Sequence, residues 1–346
     1  MFLYDIKDNP KIKTQSIPLP YLLPKTPSNK IFYQNGLSKI IHGLHLKVHS
    51  HIEECERLWN IFSPKQSLFD LWDFRYAWWE GYHCIPYFYT IYESRTPLAL
   101  LPLWFDTDKK RFEWFGSEWM EDNMFMVKDE DFINVLLRLI PKSMYLNTLE
   151  TVPHTIIEEI EVRRDKDKYV SDISSFSHIE EYLQTLKKKH RYNLRRDYYT
   201  IKNLNPRIEI TDGKKYSDEF GDIVRLSLQR FSGEEKSDFR YKEDVDAGRA
   251  ILKNSGLYTC TLIKVFIRDY LAAVDLIAHY NDRYYMLIGG ANDVERFPGI
   301  GNFMVYHEFD DAIKNNFNVV DCLQVDYSWK HKYFTPKKLL EIEKKI

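Results

Sequence analysis

The sequence predicts an α/β protein of the α+β kind, built as two tandem copies of one architecture, each a mixed, largely antiparallel sheet flanked by helices. Three observations predict it. The chain has 346 residues, and at roughly 100–200 residues per domain that length suggests two domains. Hydrophobic residues make up 44% and charged residues 29%, the balance of a globular chain that buries a real core. The order of helix-like and strand-like patterns in the second half repeats that of the first, although no sequence identity links the halves.

Residues 1–43 hold Pro10, Pro18, Pro20, Pro24 and Pro27. Proline lacks the backbone N–H, so this density denies helix and interior strand, and the segment reads as an arm. The first repeat is expected over 44–170. There Leu44–Ser50 alternates like a strand, and Glu53–Phe62 and Leu68–Glu80 have helical spacing. Strand-like runs follow at Pro86–Tyr92, Leu98–Phe105, Phe112–Phe115 and Met124–Val127, then a helix over Asp131–Ile140 and a strand over Met144–Leu149. The second repeat is expected over 171–346. Ser177–Leu204 reads as one long helix or two joined ones, and Arg207–Ile210 as a strand. Helices at Asp218–Arg230 and Asp244–Asn254 lead into strands at Leu257–Phe266, Leu271–Tyr280 and Arg283–Ile288. Asn281-Asp282 supplies the hairpin between the last two, because both residues tolerate turn conformations. A helix over Asn302–Asn315 and a strand over Val319–Leu323 close the repeat.

Composition narrows the function classes. With 49 Lys+Arg against 51 Asp+Glu, a coat for nucleic acid is disfavoured, since non-specific binding is mostly phosphate neutralisation. Cys55, Cys84, Cys260 and Cys322 form no CxxC pair, which fits reduced thiols in a cytoplasmic protein better than zinc or disulfides. No leader-like or membrane-spanning apolar run is present in the sequence. Seven of the eight tryptophans fall between Trp59 and Trp119, and they are expected chiefly in the first repeat's core, with a few walling a cleft. His42, His45, His49 and His51 cluster in sequence but lack the cysteine or carboxylate partners of a zinc site, and no metal is expected.

The most informative stretch is GGANDVERFPGIGN, between a strand and a helix. Within it Arg296-x-x-Gly299-x-Gly301 precedes the helix directly. A helix start offers unpaired N–H groups and partial positive charge, which suit a phosphate. Glycine lets the backbone approach the anion, and Arg296 adds a charged, bidentate contact. The first repeat has only Val127-Lys128-Asp129 at the matching place.

A strand meander, R-x-x-G-x-G and then a helix resembles the acetyl-CoA-binding segment of the GNAT N-acyltransferase superfamily. LKKKHRYNLRRDYYTIKNL (186–204) looks like the basic helical segment of its tandem, FemAB-like branch, and DCLQVDYSWKHKYF (321–334) like that branch's closing motif. One departure is Val325, where a glycine is usual before the second Asp. The resemblance implies transfer of an acyl group from acyl-CoA, acetyl-CoA included, to a small-molecule or peptidyl amine by direct attack, without metal. Arg296, Gly299, Ile300, Gly301 and Asn302 are the implied cofactor contacts. In the peptidoglycan-bridge branch the donor is instead an aminoacyl-tRNA.

Acyl transfer needs a base, oxyanion support and a proton for the leaving thiolate. Asp275 is the first candidate base, a carboxylate mid-strand among apolar neighbours whose desolvation should raise its pKa. The plainer reading is a structural carboxylate. His279 lies on the same strand face and is a surface histidine in the plainer reading. From the closing motif, Lys330 would support the oxyanion, or be one more surface lysine; Asp326 would hold the acceptor as a cation; Asp321 reads as structural. Tyr306 is a candidate thiolate acid, although most tyrosines of such a helix pack in the core. Cys322 reads as core rather than nucleophile. Lys187–Arg196 carries six cations and no acid, either a solvated face or a site for an anionic carrier protein, lipid, tRNA or the CoA 3′-phosphate. A catalytically silent binding module is the alternative from another class.

Overall fold

The computed structural model describes residues 17–18, 43–153, 156–230, 238–291 and 296–345. Most of the arm expected over 1–43 and part of the glycine loop (292–295) therefore lie outside the described residues. The elements in chain order are β1 (Ile17–Pro18), β2 (Leu44–His49), α1 (Ile52–Phe62), α2 (Trp72–Tyr82), β3 (Ile85–Glu93), β4 (Thr96–Asp106), β5 (Arg111–Trp114), β6 (Met126–Val127), α3 (Asp131–Leu139), β7 (Met144–Leu149), β8 (Ile160–Arg164) and β9 (Lys168–Asp172). They continue with α4 (Ile179–Thr185), α5 (Lys188–Lys202), β10 (Arg207–Asp212), α6 (Phe220–Arg230), α7 (Lys242–Lys253), β11 (Thr259–Ile267), β12 (Tyr270–Tyr280), β13 (Arg283–Ala291), α8 (Ile300–Lys314), β14 (Val319–Gln324), β15 (Thr335–Lys337) and β16 (Leu340–Lys344).

The chain folds into two compact units, and each half contributes a piece to the other's unit. The first comprises the residues up to Lys65, His83–Asp165 and Leu339–Ile346; the second comprises Gln66–Tyr82 and Lys166–Lys338. This differs from the continuous division at 170/171 that the sequence suggests. The reason is visible in the sheets. In the first unit the order runs β2-β3-β4-β5-β7-β16-β8, with β6 beside β4; in the second it runs β10-β11-β12-β13-β14-β9-β15. Each sheet is antiparallel except for one parallel pair, β5 with β7 and β13 with β14. In each, the strand beyond that pair comes from the far end of the other half's chain segment. Thus β16 joins β7 and β8, and β9 joins β14 and β15.

Both cores follow from alternation along the strands. Leu101 and Leu103 of β4, Phe112 and Trp114 of β5, and Leu136, Val135 and Leu139 of α3 pack together in the first unit. In the second, Ile263, Val265, Ala273 and Ile277 meet Phe303, Met304 and Phe309 of α8. Trp59, Trp104 and Trp114 are among the largest fully buried side chains, so the aromatic-rich stretch is largely core. The helix expected over Leu68–Glu80 is interrupted: Leu68–Asp70 is a single 3₁₀ turn, and Leu71 is extended before α2 begins. Ser177–Leu204 resolves into α4 and α5, separated at Leu186, which is extended. The two-residue hairpin at Asn281-Asp282 forms as expected, with Tyr280 paired to Arg283 and Asn281 at a φ of 53°.

Candidate active site

The second unit's parallel pair opens into a wedge. β13 pairs with β14 only from Arg283 to Tyr285, opposite Val319 to Asp321, yet β13 runs on to Ala291. The opening starts where β13 carries an extra residue: Ile288 faces Leu276, and Met286 faces the next residue, Ile277. Such a bulge bends its strand and increases local twist. The edge of β13 beyond Tyr285 makes no further ladder with β14 among the described residues.

Asp275 sits beside this edge. It pairs in register with Gly289 across β12 and β13, and a Cβ at Gly289 would stand 2.4 Å from its Oδ1. Only a glycine leaves room for the carboxylate over β13. Burial pushes Asp275 up to about 6, against the opposing pull of a hydrogen bond with Glu308, the Gly290 N–H and Arg230. The sequence therefore anticipates the direction of its shift. It does not anticipate Glu308. That carboxyl projects from α8 and is 0% exposed, and burial, then the Asp275 charge, pushes it well above the ordinary range.

The described part of the loop ahead of α8, from Arg296, brings the glycines and the arginine to the helix start beside one acid. Gly299 takes the left-handed φ of 91°, which favours glycine. Gly301 is exposed, with open space where a Cβ would be. At the start of α8 the Ile300 N–H donates to the Phe297 carbonyl at 3.0 Å and the Phe303 N–H to the Gly299 carbonyl at 2.9 Å, and the N–H groups of Gly301 and Asn302 between them lack an intrahelical acceptor. Arg296 is exposed, its guanidinium stacked 3.6 Å from the centre of the Tyr270 ring. The acid is Asp197. Its Cβ would lie 2.8 Å from a Cβ at Gly299, and its Oδ2 accepts from Asn302 Nδ2 at 2.6 Å. Arg196 pairs with Asp197 at 2.7 Å, which balances the carboxylate's charge. Asn302 Oδ1 also accepts from the Tyr333 hydroxyl at 2.8 Å. Asn302's side chain is thus engaged in holding α5 and the closing motif to α8, and Ile300's is 1% exposed in the core. Of the five expected contacts, Arg296, Gly299 and Gly301 stand together at the start of α8; the side chains of Ile300 and Asn302 are engaged within the protein, and the Ile300 N–H is bonded to Phe297.

The remaining candidates are committed elsewhere. Lys330 is 7% exposed, and its Nζ donates to the carbonyls of Cys322 and, at 2.6 Å, Gln324. This contradicts both readings of it: it is neither a surface lysine nor a cation aimed at an oxyanion, but a cap on the end of β14. Asp326 accepts from the N–H groups of Trp329 and Lys330, each at 2.8 Å, and pairs with His331. Burial alone would raise its pKa, yet His331 and those N–H groups outweigh it and hold Asp326 below the ordinary value. Tyr306 is stacked on Tyr198, centroids 3.8 Å apart, and donates to Glu180 at 3.2 Å. Burial, then the Glu180 charge, raises it, so its proton is poorly placed for a thiolate. Asp321 forms a fully buried ion pair with Lys168 at 2.9 Å, the structural role expected. Cys322 is buried in the core cluster. His279 packs between Tyr284 and Phe317, and burial lowers its pKa, so it is part of an aromatic cluster and not a surface residue. Within the basic segment, Arg195 pairs with Glu180 and Arg196 with Asp197, while Lys187, Lys188 and Lys189 are exposed at the start of α5.

Val325 has a φ of 62°, flanked by Leu323 at 62° and Ser328 at 67°. The left-handed turn that a glycine would take is made by a β-branched residue, an uncommon and costly choice.

No group of His, Cys, Asp and Glu among the described residues could hold a metal ion, and no described helix is long and apolar enough to cross a membrane. Residues 188–331 match the profile of a family described as an acetyltransferase (GNAT) domain. The fold is shared with FemX (TM-score 0.51, 11% identity, 86% of this chain and 96% of that one). It is shared equally with a tandem GNAT protein from the clavulanic acid biosynthesis pathway (0.52, 6%, 87% and 97%), and with L-PGS from Bacillus licheniformis (0.52, 10%, 85% and 91%). No curated protein sequence matches the chain.

Proposed function

We propose that this chain, whose residues 188–331 match the profile of a GNAT domain and whose fold is shared with a tandem GNAT protein, transfers an acyl group from acyl-CoA to an amine in the wedge of its second unit. The observation that carries the reading is the juxtaposition of that wedge with a carboxylate held near neutrality. Arg296, Gly299, Gly301 and the first-turn N–H groups of α8 would bind the donor's phosphates. The thioester would then lie along the edge of β13 beyond Tyr285, which makes no ladder with β14 and whose backbone N–H groups are suited to the oxyanion. Asp275 takes a proton from the acceptor ammonium, leaving a neutral amine. As nitrogen attacks the carbonyl carbon, the C–N bond forms and the C–S bond breaks. The thiolate leaves with the amine's surplus proton, and Asp275 returns its own to solvent. A base poised near 6 suits this work close to neutral pH.

The test is release of free thiol from acetyl-CoA with a panel of amines. The wild type should release thiol only when a suitable amine is present, and Asp275→Asn should lose on the order of 10²-fold in rate. Release unaffected by that substitution would remove Asp275 from the role.

A second reading keeps the fold and makes the donor an aminoacyl-tRNA. The exposed Lys187, Lys188 and Lys189 favour it, because they crowd the positive end of α5 with no acid in its first turn. That arrangement disfavours the helix and attracts polyanions. A gel shift with charged tRNA over a salt series separates the two, since phosphate contacts weaken steeply with salt. The reading predicts cytoplasmic residence, where both donors are found.

A further inference from the structure

Helix α6 has two faces. Ile223, Leu226 and Ser227 are buried, and a Cβ at Gly290 of β13 would stand 3.0 Å from the Leu226 Cβ and 3.3 Å from the Ile223 carbonyl oxygen. That face lies against the sheet. Gly221, Val224, Arg225 and Leu228 recur at helical spacing on the other. With Val245 and Arg249, one turn apart on α7, they line an open groove of about 520 Å³ among the described residues. Small-ligand sites have volumes of roughly 300–1,000 Å³. Gly221, Val224, Leu228 and Val245 make this one apolar, with Leu228 exposed, and Arg225 and Arg249 bring its charge.

Packing does not explain Gly221. Glycine weakens a helix relative to alanine, so a helical glycine invites a reason. Gly248 of α7 has one, because a Cβ there would collide with the Phe220 ring. A Cβ at Gly221 would meet no described atom within 4 Å, and the residue has no left-handed φ. What a side chain at 221 would take up is the volume of the groove.

The ion pairs around the groove limit the charge it can accept. Arg225 pairs with Asp222 at 3.2 Å and Arg249 with Asp246 at 3.6 Å, each within its own helix. Asp222 also takes Lys264 at 2.6 Å, Lys264 reaches Glu219 at 2.9 Å, and Asp246 takes Lys242 at 3.6 Å. Four cations thus meet three acids in these pairs, leaving one positive charge in surplus. One singly charged head matches that surplus; a nucleic acid, whose binding grows with each phosphate neutralised, does not. Exposed pairs such as those of Arg225 and Arg249 are weak, whereas a guanidinium can grip a carboxylate through two parallel hydrogen bonds.

We infer that the groove between α6 and α7 binds an unbranched aliphatic carboxylate of the fatty-acid class. Its chain lies over Gly221 against Val224, Leu228 and Val245, and its head sits on Arg225 and Arg249. The site is separate from the wedge, since α6 lies between the groove and β13, and it does not rest on the acyl-transfer reading.

The experiment is isothermal calorimetry of the full-length chain with dodecanoate below its micelle concentration, beside dodecyltrimethylammonium and acetate. Dodecanoate should bind saturably at one site, and the other two at least tenfold more weakly, the first lacking the anionic head and the second the chain. Gly221→Leu fills the groove and should weaken dodecanoate at least tenfold without lowering the melting temperature. Val245→Glu, a second change on the opposite wall, should do the same if Gly221→Leu proves unstable. Arg225→Gln combined with Arg249→Gln should bring dodecanoate and the dodecyl cation to within about threefold of each other. No saturable binding to the wild type, equal affinity for the anion and the cation, or undiminished binding in a folded groove variant overturns the site. A wild-type dimer that Val245→Glu dissociates in sedimentation would give the groove to a second copy of the chain and overturn it as well.

Discussion

The two units carry the same wedge in different states. In the second, β13 and β14 separate after three paired positions, and a glycine and a carboxylate face the gap. In the first, β5 and β7 meet at a single position, Phe112 with Met144, and the gap beyond is tied shut. Trp114 Nε1 donates to the Asn147 carbonyl at 3.1 Å, and Asn123 Nδ2 donates to the same carbonyl at 3.2 Å. Asn147 Nδ2 in turn reaches the Glu118 carbonyl at 3.2 Å, and Asn123 bridges to Leu149 of β7. The helix that follows differs too: α3 begins at Asp131 with acid in its first turn, whereas α8 begins with glycine and no acid on its own first turn. One architecture has its strand gap filled in one unit and left open in the other, and the difference lies in a few side chains at one strand edge.

The largest expected effect breaks the frame of the open wedge. Lys168→Met removes the nearer cation from the fully buried Asp321 at the base of β14 and leaves Arg283 at 3.8 Å, and should cost about 3 kcal/mol. Chemical denaturation checks this, with loss of the second unit's structure first; a cost under 1 kcal/mol would mean that Lys168 does not anchor β14.

A smaller change tests the wedge itself. Gly289→Ala places a methyl 2.4 Å from Asp275 Oδ1 and must displace the carboxylate. Thiol release should fall at least tenfold while CoA affinity stays within twofold, because the phosphate loop is untouched. Equal losses in both would show that the substitution distorts β13 and not only Asp275.

The smallest effect runs the other way. Val325→Gly relieves a left-handed β-branched residue and should stabilise the chain by about 1 kcal/mol, offset in part by the freer unfolded glycine. Thermal melting reads the shift, and a destabilised variant would mean that the Val325 side chain is itself needed in the closing motif.

Much of the fold is legible in the sequence because its elements have local signatures: the alternating strands of the meander, Asn281-Asp282 between two of them, and Gly299 ahead of α8. The strands left unread are β1, within the proline-rich arm, and β8, β9, β15 and β16. The last four are short, charged and flanked by lysine-rich chain, and β9 and β16 are strands only because a distant partner pairs with them. The site divides in the same way. Asp275 stands out as a carboxylate within an apolar strand, and Arg296, Gly299 and Gly301 as a loop pattern. Glu308 does not, since YHEFDDAIK reads as an ordinary polar helix face until the sheet is laid against it. Lys330 is misread for the converse reason: among Lys332, Lys337 and Lys338 it looks solvated, and its burial depends on where β14 ends.

The proposed acyl transfer requires the second unit, through the loop at the start of α8, to bind the CoA moiety of the donor. Isothermal calorimetry with CoA measures it directly. Saturable binding to the wild type is expected, and at least tenfold weaker binding to Arg296→Glu; no heat of binding at millimolar CoA, or equal affinity in the two proteins, would contradict a CoA site at this loop.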